Sequence, residues 1–230
     1  PRILNTLPRP VRMEGPQMRS PTTIEWNIQQ VNAPAVWAMG YTGQGIVVGG
    51  QDTGYEWSHP ALINKYRGWD GSVASHDYNW YDAVAASPVP VDPYGHGTHT
   101  MGTMVGDDGA GNQIGMAPGA RWIGCRNMDS NGYGSPATYL TCFEFFLAPY
   151  PLDSTPDQGN SELGPDVTNN SWSCPVYEGC SWDTLQAAVE AQRAAGIFTV
   201  VAAGNNSGGG CSTISEPPAL YDAAYTAHSK

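Results

Sequence analysis

The stretch IVVGGQD at residues 46–52 is the segment that decides the fold of this chain. It begins with three β-branched residues, carries no charge before its last position, and follows a glycine-rich turn. Short runs of this kind are typical of strands that are buried on both faces of a parallel sheet. We therefore expect an internal strand here, with Asp52 at its carboxyl end.

Helix and strand patterns alternate on both sides of this segment. Residues 32–40 precede it and carry the signals of a short helix, with Asn32 as N-cap, Pro34 in the first turn and Gly40 at the end. Such alternation predicts an α/β domain whose sheet is doubly wound and mostly parallel, with helices on both faces. The further predicted elements are strands at residues 121–128, 166–172 and 197–203, and helices at residues 135–147 and 183–195.

The N-terminal segment differs in character from the rest of the chain. Residues 1–25 are rich in proline and lack periodicity, which is typical of an extended linker or of the end of a removed pro-segment. Residues 26–230 form one predicted domain, interrupted at 76–93 and 150–165 by stretches that we interpret as long surface loops. The chain begins at Pro1 without a leader, so any secretion signal would already have been removed.

Composition excludes several classes of partner. The formal net charge is -11, and the ten Lys and Arg residues form no basic run, so neither nucleic acid nor an anionic membrane surface is an expected partner. No apolar run reaches the roughly 20 residues that a membrane-spanning helix needs. Five cysteines in a sequence rich in Gly and Pro favour disulfides in an exported protein over reactive thiols.

Three short segments carry chemically useful groups, each where a predicted strand ends or a helix begins. Asp52 ends the first strand, where a buried carboxylate needs a hydrogen-bonding or cationic partner. His96 lies at a predicted helix start within GHGTHTMG, whose small residues let another backbone approach closely. Asn205 follows the last predicted strand within AAGN, where its amide can point towards charge that develops on a carbonyl oxygen. Open α/β sheets gather such positions at one edge.

The order Asp, His, Asn in these contexts resembles the subtilase family of serine proteases. The resemblance extends through GMAP at 115–118 and DVTNNSWS at 166–173. It implies that Asp52 orients His96, that His96 takes a proton from a serine hydroxyl, and that Asn205 donates a hydrogen bond to the oxyanion. It also implies that an extended peptide substrate pairs with two backbone segments. Their residues are Gly132, Tyr133 and Gly134 in one segment, and Ser171, Trp172 and Ser173 in the other.

The chain lacks the serine segment that completes the family's triad. A Gly-Thr-Ser-Met-Ala-like motif does not occur, and Ser135 and Ser212 lie in sequences typical of a cap and a turn. We therefore interpret residues 26–230 as the N-terminal part of a subtilisin-like peptidase domain, truncated before the nucleophile, with a fold that is incomplete at its C-terminal end. On its own this fragment is expected to be inactive. The resemblance further implies secretion, and a pro-segment that inhibits the enzyme and assists its folding.

No cofactor is required for the chemistry that the resemblance implies. Many subtilases bind calcium through a carboxylate soon after the Asp motif and an Asn in the loop after the His helix. Ala61 and Gly109 occupy these places, so that site is not predicted, although structural calcium elsewhere stays possible. We interpret the adjacent Asp107 and Asp108 as a solvated acidic loop rather than as a different, weaker calcium site.

The spacing of the cysteines leaves their pairing open. One bridge is expected among Cys174, Cys180 and Cys211, and the spacing does not determine which pair forms. Cys125, in a predicted strand, either pairs with Cys142 on the following helix or both remain buried thiols.

Two other functions are compatible with the sequence. One is a metallohydrolase in which Asp52, His96 and His99 bind zinc, although no further cluster supplies a general base and Asn205 has no role in it. The other is a subtilase-like domain without activity that serves as a binding module. In the protease interpretation His99 packs behind the site, because helix residues three apart share a face.

Overall fold

The computed structural model describes residues 24–205, and its centre is a five-stranded sheet. The strands are β1 (Val47–Asp52), β2 (Trp80–Asp82), β3 (Arg121–Arg126), β4 (Val167–Asn170) and β5 (Phe198–Val201). Their order is β2-β3-β1-β4-β5, and every neighbouring pair is parallel. The predicted parallel sheet is confirmed, with β1 in its middle and all five carboxyl ends at one edge.

Helices cover both faces of this sheet. They are α1 (Trp26–Gln30), α2 (Ala33–Ala38), α3 (His96–Val105), α4 (Pro136–Leu147) and α5 (Gln186–Ala194). Trp122 and Ile123 are successive residues of β3 and therefore point to opposite faces. Trp122 packs in a cluster with Met101 and Val105 of α3, whereas Ile123 packs in another cluster with Phe146 of α4. The expected doubly wound α/β arrangement is confirmed.

The helix N-termini of α4 and α2 are built differently. The Ser135 side chain accepts a hydrogen bond from Thr138 N at 3.3 Å, and the Thr138 hydroxyl accepts one from Ser135 N at 2.9 Å. This reciprocal capping box explains why α4 begins where the sequence predicts. Asn32 precedes α2 in a left-handed conformation with φ 59° and makes no capping hydrogen bond through its side chain. The helix was predicted correctly, but Asn32 forms a turn rather than the expected cap.

The stretch at residues 76–93 corrects the prediction of a long surface loop. It contains the edge strand β2, which pairs with β3. Trp80 in this strand is fully buried, and its ring meets that of Tyr55 edge to face at 6.4 Å. Burial of this indole anchors the segment to the core. The second predicted loop, at residues 150–165, contains two short 3-10 turns.

Two disulfides resolve the pairings that spacing left open. Cys125 of β3 pairs with Cys142 of α4, with a Cα–Cα distance of 5.6 Å, so the alternative of two buried thiols is wrong. Cys174 pairs with Cys180 across the same Cα–Cα distance of 5.6 Å. The first bridge fixes α4 to the sheet, and the second closes a short loop after β4. Cys211 lies outside the described residues.

Candidate active site

Asp52 and His96 meet at the carboxyl edge of the sheet. Asp52 is the last residue of β1 and is fully buried, and His96 is the first residue of α3. The distance between His96 Nδ1 and Asp52 Oδ1 is 2.7 Å. The carboxylate also accepts hydrogen bonds from Thr53 N at 2.7 Å and from the Thr100 hydroxyl at 3.4 Å. These hydrogen bonds give the buried carboxylate the polar partners that its position at the end of a buried strand requires.

Glycines beside both residues make this contact possible. A Cβ added to Gly97 would lie 2.0 Å from the carbonyl oxygen of Gly54 and 3.0 Å from Asp52 Cβ. Gly54 itself has φ 116°, and a Cβ there would lie 1.8 Å from Val91 O. The start of α3 therefore packs directly against the end of β1, which brings the imidazole to the carboxylate.

The environment of His96 favours its protonated form. Burial lowers the pKa of His96, but the charge of Asp52, the hydrogen bond to it and the charge of Asp92 together outweigh this effect and raise the pKa above its ordinary value. An imidazolium formed during a reaction would thus be stabilised in place. Since Nδ1 faces Asp52, the neutral ring carries its proton there and leaves Nε2 as a base.

Asp92 supports the same helix terminus, and the sequence did not indicate this role. Its Oδ1 accepts hydrogen bonds from Gly95 N and from the Thr53 hydroxyl, both at 2.8 Å. Its Oδ2 accepts from Thr98 N at 2.8 Å and from the Thr98 hydroxyl at 2.7 Å. Asp92 therefore ties the turn before His96 to the turn after Asp52. An acidic residue shortly before a helix is the signal that could have indicated this role. Asp92, however, lies in the stretch that the sequence analysis interpreted as a loop.

Asn205 lies near the same edge of the sheet. Gln51, Asn170 and Val201 form one row across β1, β4 and β5, and the pairing continues with a hydrogen bond of 3.0 Å from Ala202 N to Asn170 O. The chain then leaves the sheet towards Asn205, which is exposed. Asp52 and His96 are thus in direct contact, and Asn205 follows the carboxyl end of β5, which belongs to the same parallel sheet.

The predicted substrate segment at residues 171–173 continues from β4 at this edge. Trp172 is fully buried, stacks on Tyr139 with ring centroids 4.1 Å apart, and donates a hydrogen bond of 3.0 Å from its indole to Gln51 O. Its side chain therefore belongs to the core, Ser173 is buried as well, and Ser171 is partly buried.

The second predicted substrate segment, Gly132 to Gly134, lies at the end of a turn that Asp129 closes, and its role in binding a substrate stays a prediction. The Asp129 carboxylate accepts hydrogen bonds from Asn131 N at 2.8 Å and Tyr133 N at 3.0 Å, and Asp129 N donates to Tyr133 O at 2.8 Å. Gly132 has φ 80°, and Tyr133 is 43% exposed. Gly134, at the end of this turn, leads into α4.

The proposed zinc ligands do not converge. His99 is exposed and lines a separate cavity of about 380 Å³ together with His59 and Glu25. The expectation that His99 packs behind the site is therefore wrong. Within residues 24–205, no group of three or more His, Cys, Asp or Glu side chains could hold a metal ion. The three side chains of the metallohydrolase alternative, Asp52, His96 and His99, form no such group.

An ion pair fixes the start of the loop after α3. Asp107 Oδ2 lies 3.3 Å from Lys65 Nζ, and the same ammonium donates a hydrogen bond to Pro118 O. The other oxygen of Asp107 accepts from Gly109 N at 2.9 Å, and Asp108 Oδ1 accepts from Ala110 N at 2.8 Å. The ion pair with Lys65 corrects the interpretation of a purely solvated loop for Asp107, and for Asp108 that interpretation stays a prediction.

Comparison with known proteins agrees with this arrangement. A sequence model of the Subtilase family matches residues 43–229. Bacillopeptidase F of Bacillus subtilis (strain 168) is 44% identical over 202 residues, which are 84% of this chain and 14% of that protein. Subtilisin DY of Bacillus licheniformis is 30% identical over 200 residues, which are 87% of this chain and 62% of that protein. The chain therefore spans less than two thirds of the length of these relatives.

Proposed function

Because the chain belongs to the subtilase family, we propose that it supplies the Asp and the His of an Asp-His-Ser triad in a serine endopeptidase. The observation that carries the proposal is the 2.7 Å contact between His96 Nδ1 and the buried Asp52. In this proposal Asn205 is the oxyanion donor, and the nucleophilic hydroxyl belongs to a segment outside residues 1–230. The chemistry needs no metal ion or organic cofactor.

The proposed reaction begins when a serine hydroxyl attacks the carbonyl carbon of the scissile peptide bond. His96 Nε2 accepts the hydroxyl proton, and Asp52 stabilises the imidazolium through Nδ1. Asn205 donates a hydrogen bond to the oxyanion of the tetrahedral intermediate. His96 then gives its proton to the leaving amine, so that an acyl-enzyme remains. A water molecule repeats the sequence on the acyl-enzyme, which releases the acid and restores the serine.

A pair of inhibitors tests the reaction class on the complete protease that contains this chain. A serine-directed organophosphorus reagent should abolish peptide cleavage, since it modifies the hydroxyl that His96 activates. A chelator in excess should leave the rate of cleavage unchanged. Loss of activity with the chelator alone would instead support metal-assisted hydrolysis.

The partner that we propose is a protein or peptide in extended conformation. The segment from Ser171 to Ser173 follows β4, which pairs with β1 up to the residue before Asp52, and in this proposal its backbone groups align the substrate. A pro-segment acting as inhibitor and folding aid, and secretion of the protein, are parts of the same proposal. The two disulfides favour an oxidising compartment. Within residues 24–205, no helix is long and apolar enough to cross a bilayer.

Replacing Asn205 by leucine is expected to lower kcat with little change in KM. The amide would bind the oxyanion of the transition state and not the ground-state carbonyl, so its loss acts on the chemical step. Loss of this donor lowers kcat by about 10²- to 10³-fold in a subtilisin, and we expect an effect of that size in steady-state kinetics of the complete protease. Asn64→Ala, at an exposed asparagine in the turn Ile63–Lys65, is the control. A change confined to KM would make Asn205 a binding residue instead.

We further propose that the ammonium of Lys65, rather than calcium, holds the loop at residues 107–113. Lys65 joins Asp107 to the carbonyl of Pro118, and Ala61 supplies no carboxylate nearby. Lys65→Met should therefore speed amide hydrogen exchange in this loop and lower the free energy of unfolding by about 1 kcal/mol. Excess chelator should leave exchange in the parent protein unchanged. Faster exchange of this loop with chelator in the parent would contradict the proposal.

A further inference from the structure

A cavity of about 530 Å³ lies beside the Asp52–His96 pair and has no role in the mechanism above. Arg126, one of its lining residues, is the register partner of Asp52 on the neighbouring strand β3. Asp92, another lining residue, binds the turn from which His96 projects. A peptide whose scissile bond lies at His96 would therefore have this cavity within reach of a side chain close to that bond. The lining residues are Glu56, Trp57, Ser58, Pro90, Val91, Asp92, Pro93, Arg126 and Ser130.

The walls of the cavity are suited to a long aliphatic stem. Trp57 is held in place by ring contacts with Tyr66 at 5.9 Å, Trp69 at 5.9 Å and His76 at 5.3 Å between centroids. Prolines and a valine from residues 90–93 complete the apolar part. A rigid indole of this kind packs against methylene groups and also attracts a cation placed over its face.

The positive charge in the wall is already neutralised. The Arg126 guanidinium donates to Asp82 Oδ2 at 3.2 Å and to Met128 O at 3.1 Å, and the Arg126 and Asp82 side chains are 8% and 0% exposed. Asp82 is fixed in turn by backbone N–H groups of residues 84, 85 and 87. Because both ions are buried and paired, Arg126 is not available to attract an acidic side chain of a ligand.

The charge that remains for a ligand is negative. Asp92 accepts hydrogen bonds from the protein through both carboxylate oxygens but has no cationic side chain among these partners, and its charge is one of the causes that raise the pKa of His96. Glu56 is exposed at the rim, and its backbone N–H donates to the Thr98 hydroxyl at 2.8 Å, which fixes its position beside the start of α3. A basic side chain would meet both carboxylates, and an acidic one would be repelled by them.

We propose that this cavity is a specificity pocket for a lysine or arginine side chain of the peptide substrate. The inference rests on the proposed function and extends it to a substrate class. The methylene groups lie along Trp57 and the proline wall, and the cationic end lies between Glu56 and Asp92. Glu56 is then a specificity-determining residue. Protein donors bind the carboxylate of Asp92, whereas Glu56 is exposed at the rim of the cavity.

The test uses the complete protease and peptides that differ only at single positions near the scissile bond. Lys and Arg at one of these positions should raise kcat/KM about tenfold over Ala, and Glu at the same position should lower it. Glu56→Gln should reduce the preference for Lys and Arg about threefold or more, and leave kcat/KM for a Leu peptide unchanged. The preference of the parent enzyme should also weaken as ionic strength rises.

The outcomes separate this inference from the function on which it rests. Glu162→Gln, at an exposed glutamate in the 3-10 turn Ser161–Leu163, should retain the full preference. Cleavage without preference for Lys or Arg at any position, or a preference for acidic residues, would overturn the pocket and leave the protease function standing. Failure of the complete protease to cleave any peptide would overturn both.

Discussion

Replacing His96 with alanine is expected to abolish nearly all turnover by the complete protease. The residues of such a triad act as a unit, so removal of the base leaves the nucleophile without activation, and in a subtilisin this costs about 10⁶-fold in kcat. We expect a loss of similar size, measured as the initial rate of peptide cleavage at saturating substrate. The fold should persist, because Asp52 keeps its hydrogen bonds from Thr53 N and the Thr100 hydroxyl.

The matched control for this variant is on the same helix. His99 is exposed and lies three residues further along α3, so His99→Ala changes the same residue type without touching the candidate pair. It should retain full activity and the same melting temperature. Turnover in the His96 variant comparable to that of the His99 variant would refute the assignment of His96 as the base.

The central sheet could be predicted from the sequence because strand patterns alternate with helix patterns that carry clear end signals. The capping box at Ser135 is one such signal, and the structure places α4 directly after it. Strand β2 escaped prediction because it has three residues, too few for a periodic pattern, and lies among turn-forming residues. Burial of Trp80 in the core fixes the position of β2, and this burial arises only in the tertiary structure.

The candidate pair could be predicted because Asp52 and His96 each lie in a distinctive local sequence. The exposure of His99 could not be predicted from the sequence. Its spacing from His96 shows that the two residues are neighbours on the helix, but it does not show which face of the helix is buried. Helix α3 buries Gly97, Met101 and Val105. His99 is two residues from Gly97, about 200° around the helix, and so faces away from the core.

Other features of the site depend on contacts between distant segments. The carboxylate of Asp92 binds groups from the turn after β1 and from the start of α3, and only the folded chain brings these together. Trp172 follows a strand in a segment predicted to bind substrate, and an aromatic residue there is equally compatible with core and surface. Its stacking on Tyr139 decides for the core. The sequence pattern predicts which chemical groups lie at the carboxyl edge of the sheet, and packing determines which of their side chains form the site.

Replacing Asp52 with asparagine is expected to separate the charge of the carboxylate from its shape. The amide has nearly the same size, but it does not hold the Nδ1–H tautomer of His96 and cannot compensate an imidazolium. In a serine protease triad this change lowers kcat by about 10⁴-fold, and we expect a loss of this order for cleavage by the complete protease. Asp166→Asn is the control, since Asp166 is an exposed carboxylate bound to Val47 N at the opposite end of β1.

The pH dependence of the Asp52→Asn variant gives an independent measurement. His96 acts as a base in its neutral form, so the rate rises with pH through the pKa of His96. In the parent enzyme this pKa is raised, because the charge and hydrogen bond of Asp52 and the charge of Asp92 outweigh burial, and the acid limb should lie above about pH 6.5. In the variant burial persists and the attraction of Asp52 is lost, so the acid limb should move to lower pH. A large loss of kcat with an unmoved acid limb would mean that Asp52 supports the fold of the site without acting on His96.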